Sequence, residues 1–112
     1  MTPANSLQCE VVKSPTKDEQ GNPVTTVTCR GRIVSDTAAQ AKEVIRPLIN
    51  LGGRIIVDLG EVTHLDSSGL GTLVGLKASA VNQGYCILEF TNLTPRILEL
   101  LRVTNLQQLF SK

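Results

Sequence analysis

The sequence predicts an α/β fold: a mixed, mostly parallel sheet with flanking helices. Three observations lead there. Segments of β-favouring residues alternate with segments of helical periodicity, which is the pattern of strands joined through crossover helices. The first two strands follow each other with only a polar loop between them, so they form an antiparallel hairpin. The central strand, RIIVDL at 54–59, is nearly continuously apolar, as expected of a strand in a parallel sheet with helices on either side.

Each element has its own justification. Residues 7–13, LQCEVVK, read as the first strand. Residues 14–23 hold two prolines, a glycine and several polar side chains, so they read as a loop. Residues 24–30, VTTVTCR, are rich in β-branched side chains and read as the second strand. In residues 36–50, Ala38, Ala41, Val44, Ile45 and Leu48 share one helical face. Asp36 is the expected N-cap of that helix, because a carboxylate accepts the free amides of a first turn. Pro47 predicts a kink or an early end there, since proline removes a hydrogen bond and clashes with the preceding turn. Gly52 and Gly53 close the helix.

After the strand 54–59, GEVTHLD reads as a connecting loop with Leu65 tucked inward. A second helix is expected over 68–82, with Gly84 as its stop. Its buried stripe is expected to be Leu70, Leu73, Val74, Ala78 and Val81, with Lys77 alongside. Thr72, Leu76, Ser79 and Gln83 are expected on the opposite, solvent-facing side. YCILEF at 85–90 is another strand. Thr94 and Pro95 predict the cap and first position of a third helix running to about Arg102. A last short helix is expected near 104–110, capped by Thr104 or Asn105, and residues 1–6 are expected to form an extended or disordered tail.

Bulk properties narrow the function. The 112 residues amount to one domain, able to bury a core without disulfides or metal. Net charge is +1, with no basic stripe, and there are only two Phe, one Tyr and no Trp. Neither the electrostatic nor the stacking signature of nucleic-acid binding is present. No apolar run has the length of a membrane span, and the first residues lack a signal-peptide core, so a cytoplasmic protein is expected. Cys9, Cys29 and Cys86 form no Cys-x-x-Cys pair, which argues against zinc and dithiol chemistry; they read as small buried hydrophobes. No cofactor signature occurs.

The stretch that asks for a function is HLDSSGLGTL, residues 64–73. It lies between an apolar strand and an apolar helix, at the rim where open α/β sheets meet ligands and partners. Asp66, Ser67 or Ser68 serves as a helix cap, but a cap needs only one residue and three are supplied. Gly71 and Gly75, one turn apart, form a bare strip. Close packing on a neighbouring element is the expected reason for Gly75, and a surface kept clear for a partner is the alternative. A serine nucleophile would need a base and an orienting group. His64 is the one histidine, and HLDSS is not the Gly-x-Ser-x-Gly elbow. No phosphate-loop or dinucleotide glycine pattern occurs, and His64 with Asp66 is too small a set for a metal.

What remains is a hydroxyl that another protein acts on. HLDSSGLGTLVGL resembles the signature of the STAS domain family of sulphate transporters and anti-sigma factor antagonists. The resemblance extends from about residue 7 to residue 110 and includes the strand ending at Gly31, Thr37-Ala38 opening a helix, IIVDL, and TPRILELLRVTNL. It implies a single STAS-type domain. Asp-Ser-Ser-Gly-Leu-Gly is typical of the free-standing bacterial antagonists.

For function, the resemblance implies a non-enzymatic partner switch in transcription regulation. The unmodified protein binds an anti-sigma factor that is itself a serine kinase, freeing the sigma factor. Phosphorylation of the second serine, here Ser68, releases it, and a phosphatase reverses the modification. Asp66 and Ser67 are expected to shape the loop and, with Gly69, to take part in partner binding. Asp36, His64, Thr72 and Leu76 are expected to border the partner-binding surface. Members often carry an acidic residue three positions after the glycine that ends the second strand. Val34 stands there in this chain, and Asp36 is either its substitute or only a cap. The alternative function is a STAS-type binding subunit of a transport or sensory complex, without a phospho-switch.

Overall fold

The computed structural model describes residues 7–107. Among these residues, four strands and three helices follow in the order β1 (Leu7–Lys17), β2 (Pro23–Ile33), α1 (Ala38–Leu51), β3 (Gly53–Leu65), α2 (Ser67–Gln83), β4 (Cys86–Thr91) and α3 (Pro95–Thr104). The sheet has the order β1-β2-β3-β4. β1 and β2 pair antiparallel, while β2–β3 and β3–β4 pair parallel. The expected mixed, mostly parallel sheet is therefore present. The expected tail at 1–6 lies outside the described residues.

The hairpin is longer than its sequence pattern, because pairing continues to Lys17↔Pro23 past a register shift between Lys13 and Lys17. The turn is closed by Asp18, whose Oδ1 accepts from the amides of Gln20 (3.0 Å) and Asn22 (2.7 Å).

β3 departs most from expectation. GEVTHL is strand, not loop. The register steps from Thr28↔Asp58 to Arg30↔Glu61 and from Gly31↔Val62 to Arg32↔His64, so β3 carries an extra residue at each step. Such bulges break the two-residue alternation by which a strand is recognised. The buried set accordingly runs Ile55, Val57, Leu59 and then Val62.

Among the described residues, the sheet is covered on one face. Val27, Cys29 and Ile33 of β2, the β3 set, and Cys86, Leu88 and Phe90 of β4 form one core with residues of all three helices. The other face carries Thr26, Thr28, Arg30, Arg54, Asp58 and Glu89, none of them fully buried. Arg54 bridges Glu89 and Asp18 there. The expectation of helices on both sides fails at Arg54 and Asp58, polar residues that alternate with the apolar positions of β3.

α1 buries Ala38, Ala41, Ile45 and Ile49. Its N-cap position is Thr37, not Asp36, which is exposed. Pro47 lies inside the helix without ending it. The ring occupies an exposed position, so the carbonyl left without its amide partner can bond water. Gly52 and Gly53 then take positive φ of 80° and 86°. A Cβ on Gly53 would come within 2.8 Å of the Pro23 carbonyl oxygen, so the end of α1 requires glycine there.

α2 buries Gly69, Leu70, Leu73, Leu76 and Ala80. Two expectations are corrected. Leu76 is 2% exposed and belongs to the core, whereas Val81 is 65% exposed; Ala78 is exposed as well. The helix is rotated so that the 70/73/76/80 row, at spacings of three and four, faces the sheet. Lys77 lies along the buried side, and its ammonium donates to the Leu88 carbonyl oxygen at 2.6 Å.

α3 is capped as expected, with Thr94 Oγ1 accepting from the Ile97 amide at 3.2 Å. It continues through Thr104, so neither Thr104 nor Asn105 opens a new helix there. Asn105 is its left-handed C-cap at φ 59°, its amide donating to Arg102 and Leu101 carbonyls. Gln107 is helical again, and the rest of the predicted last helix lies outside the described residues.

Candidate functional site

The site is built where β2 and β3 end side by side. Ile33 pairs with Leu65 as the last step of the parallel ladder. One residue later the chain turns into α2 with Asp66 as N-cap. The Asp66 carboxylate does two jobs. Oδ1 accepts from the Gly69 amide at 2.8 Å, and Oδ2 accepts from the Ser35 amide at 3.1 Å. It thereby ties the start of α2 to the β2–α1 loop. These backbone hydrogen bonds, the one from Gly69 foremost, hold its carboxyl below the usual carboxylate range.

Gly69 is fixed by close approach. A Cβ there would lie 2.0 Å from the Ile33 carbonyl oxygen, so the first turn of α2 rests directly on the end of β2. Gly71 and Gly75 differ, because a Cβ on either would meet nothing within 4 Å. The close packing expected of Gly75 is absent, and both glycines line open surface.

Ser67 and Ser68 are exposed at the mouth of α2. The cap belongs to Asp66, so neither hydroxyl has that structural task. Ser68 opens onto a groove of about 490 Å³ between α1 and α2. Gly71, Thr72, Gly75 and Leu76 line one side and Lys42 and Arg46 the other. The helix N-terminus contributes a positive dipole end. Leu76 thus reaches the groove from the core side rather than from solvent.

Asp36, His64 and Asp66 border a second hollow of about 300 Å³, together with Arg32 and Arg96. The sequence-predicted residues therefore divide between two neighbouring depressions: Ser68, Thr72 and Leu76 in one, Asp36, His64 and Asp66 in the other. Gly69 is buried at the start of the helix, and Ser67 lines neither depression. His64 is exposed, and its Nδ1 lies 3.1 Å from Thr63 Oγ1. Among the described residues, no carboxylate hydrogen-bonds to its ring. Among the described residues, no group of three or more His, Cys, Asp or Glu side chains could hold a metal ion.

Residue-level reading missed the role of Thr37, which is 5% exposed. Its hydroxyl donates to the Arg32 carbonyl oxygen at 2.6 Å and accepts from the Val34 amide at 3.0 Å, folding the β2–α1 loop back on itself. Lys42 and Arg46 were missed as well. Their spacing of four residues on the polar side of α1 is the signal that could have found them.

Comparison with known proteins adds the following. A family model described as "Mlab, STAS domain" matches residues 16–111. The anti-sigma-B factor antagonist of Bacillus subtilis is 31% identical over 83 residues, covering 74% of this chain and 75% of that protein. Among solved structures, an anti-sigma factor antagonist from Mycobacterium paratuberculosis superposes with a TM-score of 0.76 at 19% identity, over 98% of this chain and 87% of the other. The Bacillus cell fate determinant SpoIIAA in its phosphorylated form gives 0.64 at 18% identity, over 92% of this chain and 86% of the other. At such identities the structural likenesses bear on the fold. Among the described residues, no helix is long and apolar enough to cross a membrane.

Proposed function

The chain belongs to the STAS domain family, and from that premise we propose that it is an anti-sigma factor antagonist switched by phosphorylation of Ser68. The observation that carries the reading is the division of labour at the start of α2. Asp66 caps the helix, and the Ser68 hydroxyl is left exposed at the edge of the α1–α2 groove. A relative of the same fold has been solved in a phosphorylated form, which supports the same chemistry for this chain.

The partner is an anti-sigma factor with serine kinase activity. In its active site the Ser68 oxygen attacks the γ-phosphorus of ATP. The new O–P bond forms as the bond to the β-phosphate oxygen breaks, ADP leaves, and the hydroxyl proton passes to a base of the kinase. A phosphatase returns the serine by hydrolysis. The phosphate adds about −1.5 to −2 charges. This fold accommodates them, because the dipole of α2 favours an anion and Lys42 and Arg46 stand across the groove. A partner seated over Ser68 does not. Burying the unpaired charge costs on the order of several kcal/mol, and each ~1.4 kcal/mol is tenfold in affinity. Binding falls by a factor of hundreds with no change of fold. Asp36, His64, Asp66, Thr72 and Leu76 border the surface on which the partner sits.

The test is labelling with γ-phosphate-labelled ATP and the cognate anti-sigma kinase, followed by site mapping. Label on Ser68, binding without label for Ser68→Ala, and loss of binding for Ser68→Asp are expected. Label on Ser67 or elsewhere would overturn the assignment. The open glycine strip also favours a second reading, in which the same groove docks a transport or sensory assembly and Ser68 is never modified. Stable binding with no phosphate uptake from any serine kinase would select it.

A further inference from the structure

Cys9 and Cys29 are 20 residues apart in sequence, yet they are directly opposed on the antiparallel pair β1–β2, with their sulfurs 3.9 Å apart. We propose that this pair is a reversible oxidation site, closing to a cross-strand disulfide when the protein meets a small peroxide.

Backbone geometry permits closure. Directly opposed residues on antiparallel strands have Cα atoms about 4.5–5.5 Å apart, inside the roughly 4.4–6.8 Å span over which disulfides form. The sulfurs must approach to about 2.05 Å, and side-chain rotation supplies that movement because both are already within hydrogen-bonding distance. Place in the fold helps as well. β1 is the edge strand of the sheet, and the register of β3 shifts opposite Cys29, between Thr28 and Arg30. The β1–β2 ladder itself is unbroken from Leu7↔Gly31 to Lys13↔Thr25, so the two thiols are held face to face.

The two thiols are not equivalent, which sets the order of events. Cys9 is half-buried and Cys29 fully buried, so the oxidant reaches Cys9. A hydrogen bond from Cys29 lowers the Cys9 thiol from its ordinary value, favouring the thiolate that reacts. The same contact, with burial, raises Cys29. In the first step the Cys9 sulfur attacks one peroxide oxygen. The S–O bond forms, the O–O bond breaks, and the departing oxygen takes the thiol proton as water. In the second step the Cys29 sulfur attacks the Cys9 sulfenic acid. The S–S bond forms, the S–O bond breaks, and the hydroxyl leaves as water with the Cys29 proton. Two thiols are oxidised and one peroxide is reduced to two waters. An external dithiol reverses the change. Cys86 sits on β4, two strands from Cys29, and takes no part.

The experiment uses the full chain. Reduced protein is exposed to hydrogen peroxide, alkylated with iodoacetamide in denaturant, digested and mapped by mass spectrometry. The expected product is one intramolecular link joining the Cys9 and Cys29 peptides, a loss of two hydrogens that dithiothreitol restores, with Cys86 alkylated. Three alkylated cysteines, Cys9 stopping at sulfinic acid, or a link between two chains would each overturn the proposal. Cys9→Ser, at the half-buried position, should leave Cys29 reduced under the same exposure. Oxidation of Cys29 in that variant would overturn the assignment of Cys9 as the first site of attack.

Discussion

Two helices of this protein start beside each other at the same rim of the sheet, and they use their hydroxyl residues in opposite ways. At α1, Thr37 is 5% exposed and its hydroxyl is committed to the Arg32 carbonyl and the Val34 amide. At α2 the structural work falls to Asp66, whose carboxylate holds the Gly69 and Ser35 amides. The serines that follow are left exposed. A hydroxyl becomes available to an outside enzyme when a neighbour performs the task it would otherwise perform. Thr37 is architecture and Ser68 is not, although both belong to the residue types that cap helices.

That contrast breaks most visibly at Gly69. Gly69→Ala would press a methyl group to 2.0 Å from the Ile33 carbonyl oxygen, lifting α2 off β2. A loss of about 3 kcal/mol or more is expected, read as a lowered urea midpoint or as failure to fold. Wild-type stability in this variant would mean that the two elements are not locked together. Thr37→Val comes next. It keeps the shape but strips two hydrogen bonds from a buried loop, at a cost of about 1–3 kcal/mol. Chemical denaturation with unchanged slope is the check, and a neutral result would place Thr37 in the same class as Ser68.

The contrast was only partly legible in the residues. Strand and helix alternation, the glycine stop of α1 and the Thr94-Pro95 start of α3 all follow from local chemistry, and local chemistry is what a sequence displays. Asp66, Ser67 and Ser68 were equivalent as caps until the Ile33–Leu65 register fixed which one faces the Ser35 amide. The strand GEVTHL was hidden because two bulges scramble its alternation. Leu76 was put on the wrong face because Gly71, Gly75, Ala78 and Ala80 blur the phase of α2, leaving no strong contrast between its sides. The facing of Cys9 and Cys29 depends on strand register alone, and composition and spacing contain no trace of it.

Smaller effects sharpen the comparison. The Asp66 carboxyl is held below its ordinary range in the fold, chiefly by the Gly69 amide. A depressed carboxylate stabilises fully above its unfolded value, about 3.9 for an aspartate. That contribution is lost as pH falls through the folded value. Asp66→Asn keeps a capping oxygen but cannot titrate, so midpoints measured from neutral pH down to about 3 should fall less steeply than in the wild type. Equal steepness would mean that the capping charge is not what acid removes.

Ser68→Ala should do least of all. It removes one exposed hydroxyl that has no hydrogen-bond partner among the described residues, so stability should stay within about 0.5 kcal/mol of wild type, against the larger loss at Thr37. The paired measurement is the informative one. If Ser68→Ala unfolds as early as Thr37→Val, its hydroxyl holds the fold together after all, and the serine is no free handle. If the two midpoints separate as expected, loss of labelling in Ser68→Ala reads as loss of the acceptor oxygen and not as damage to the domain that carries it.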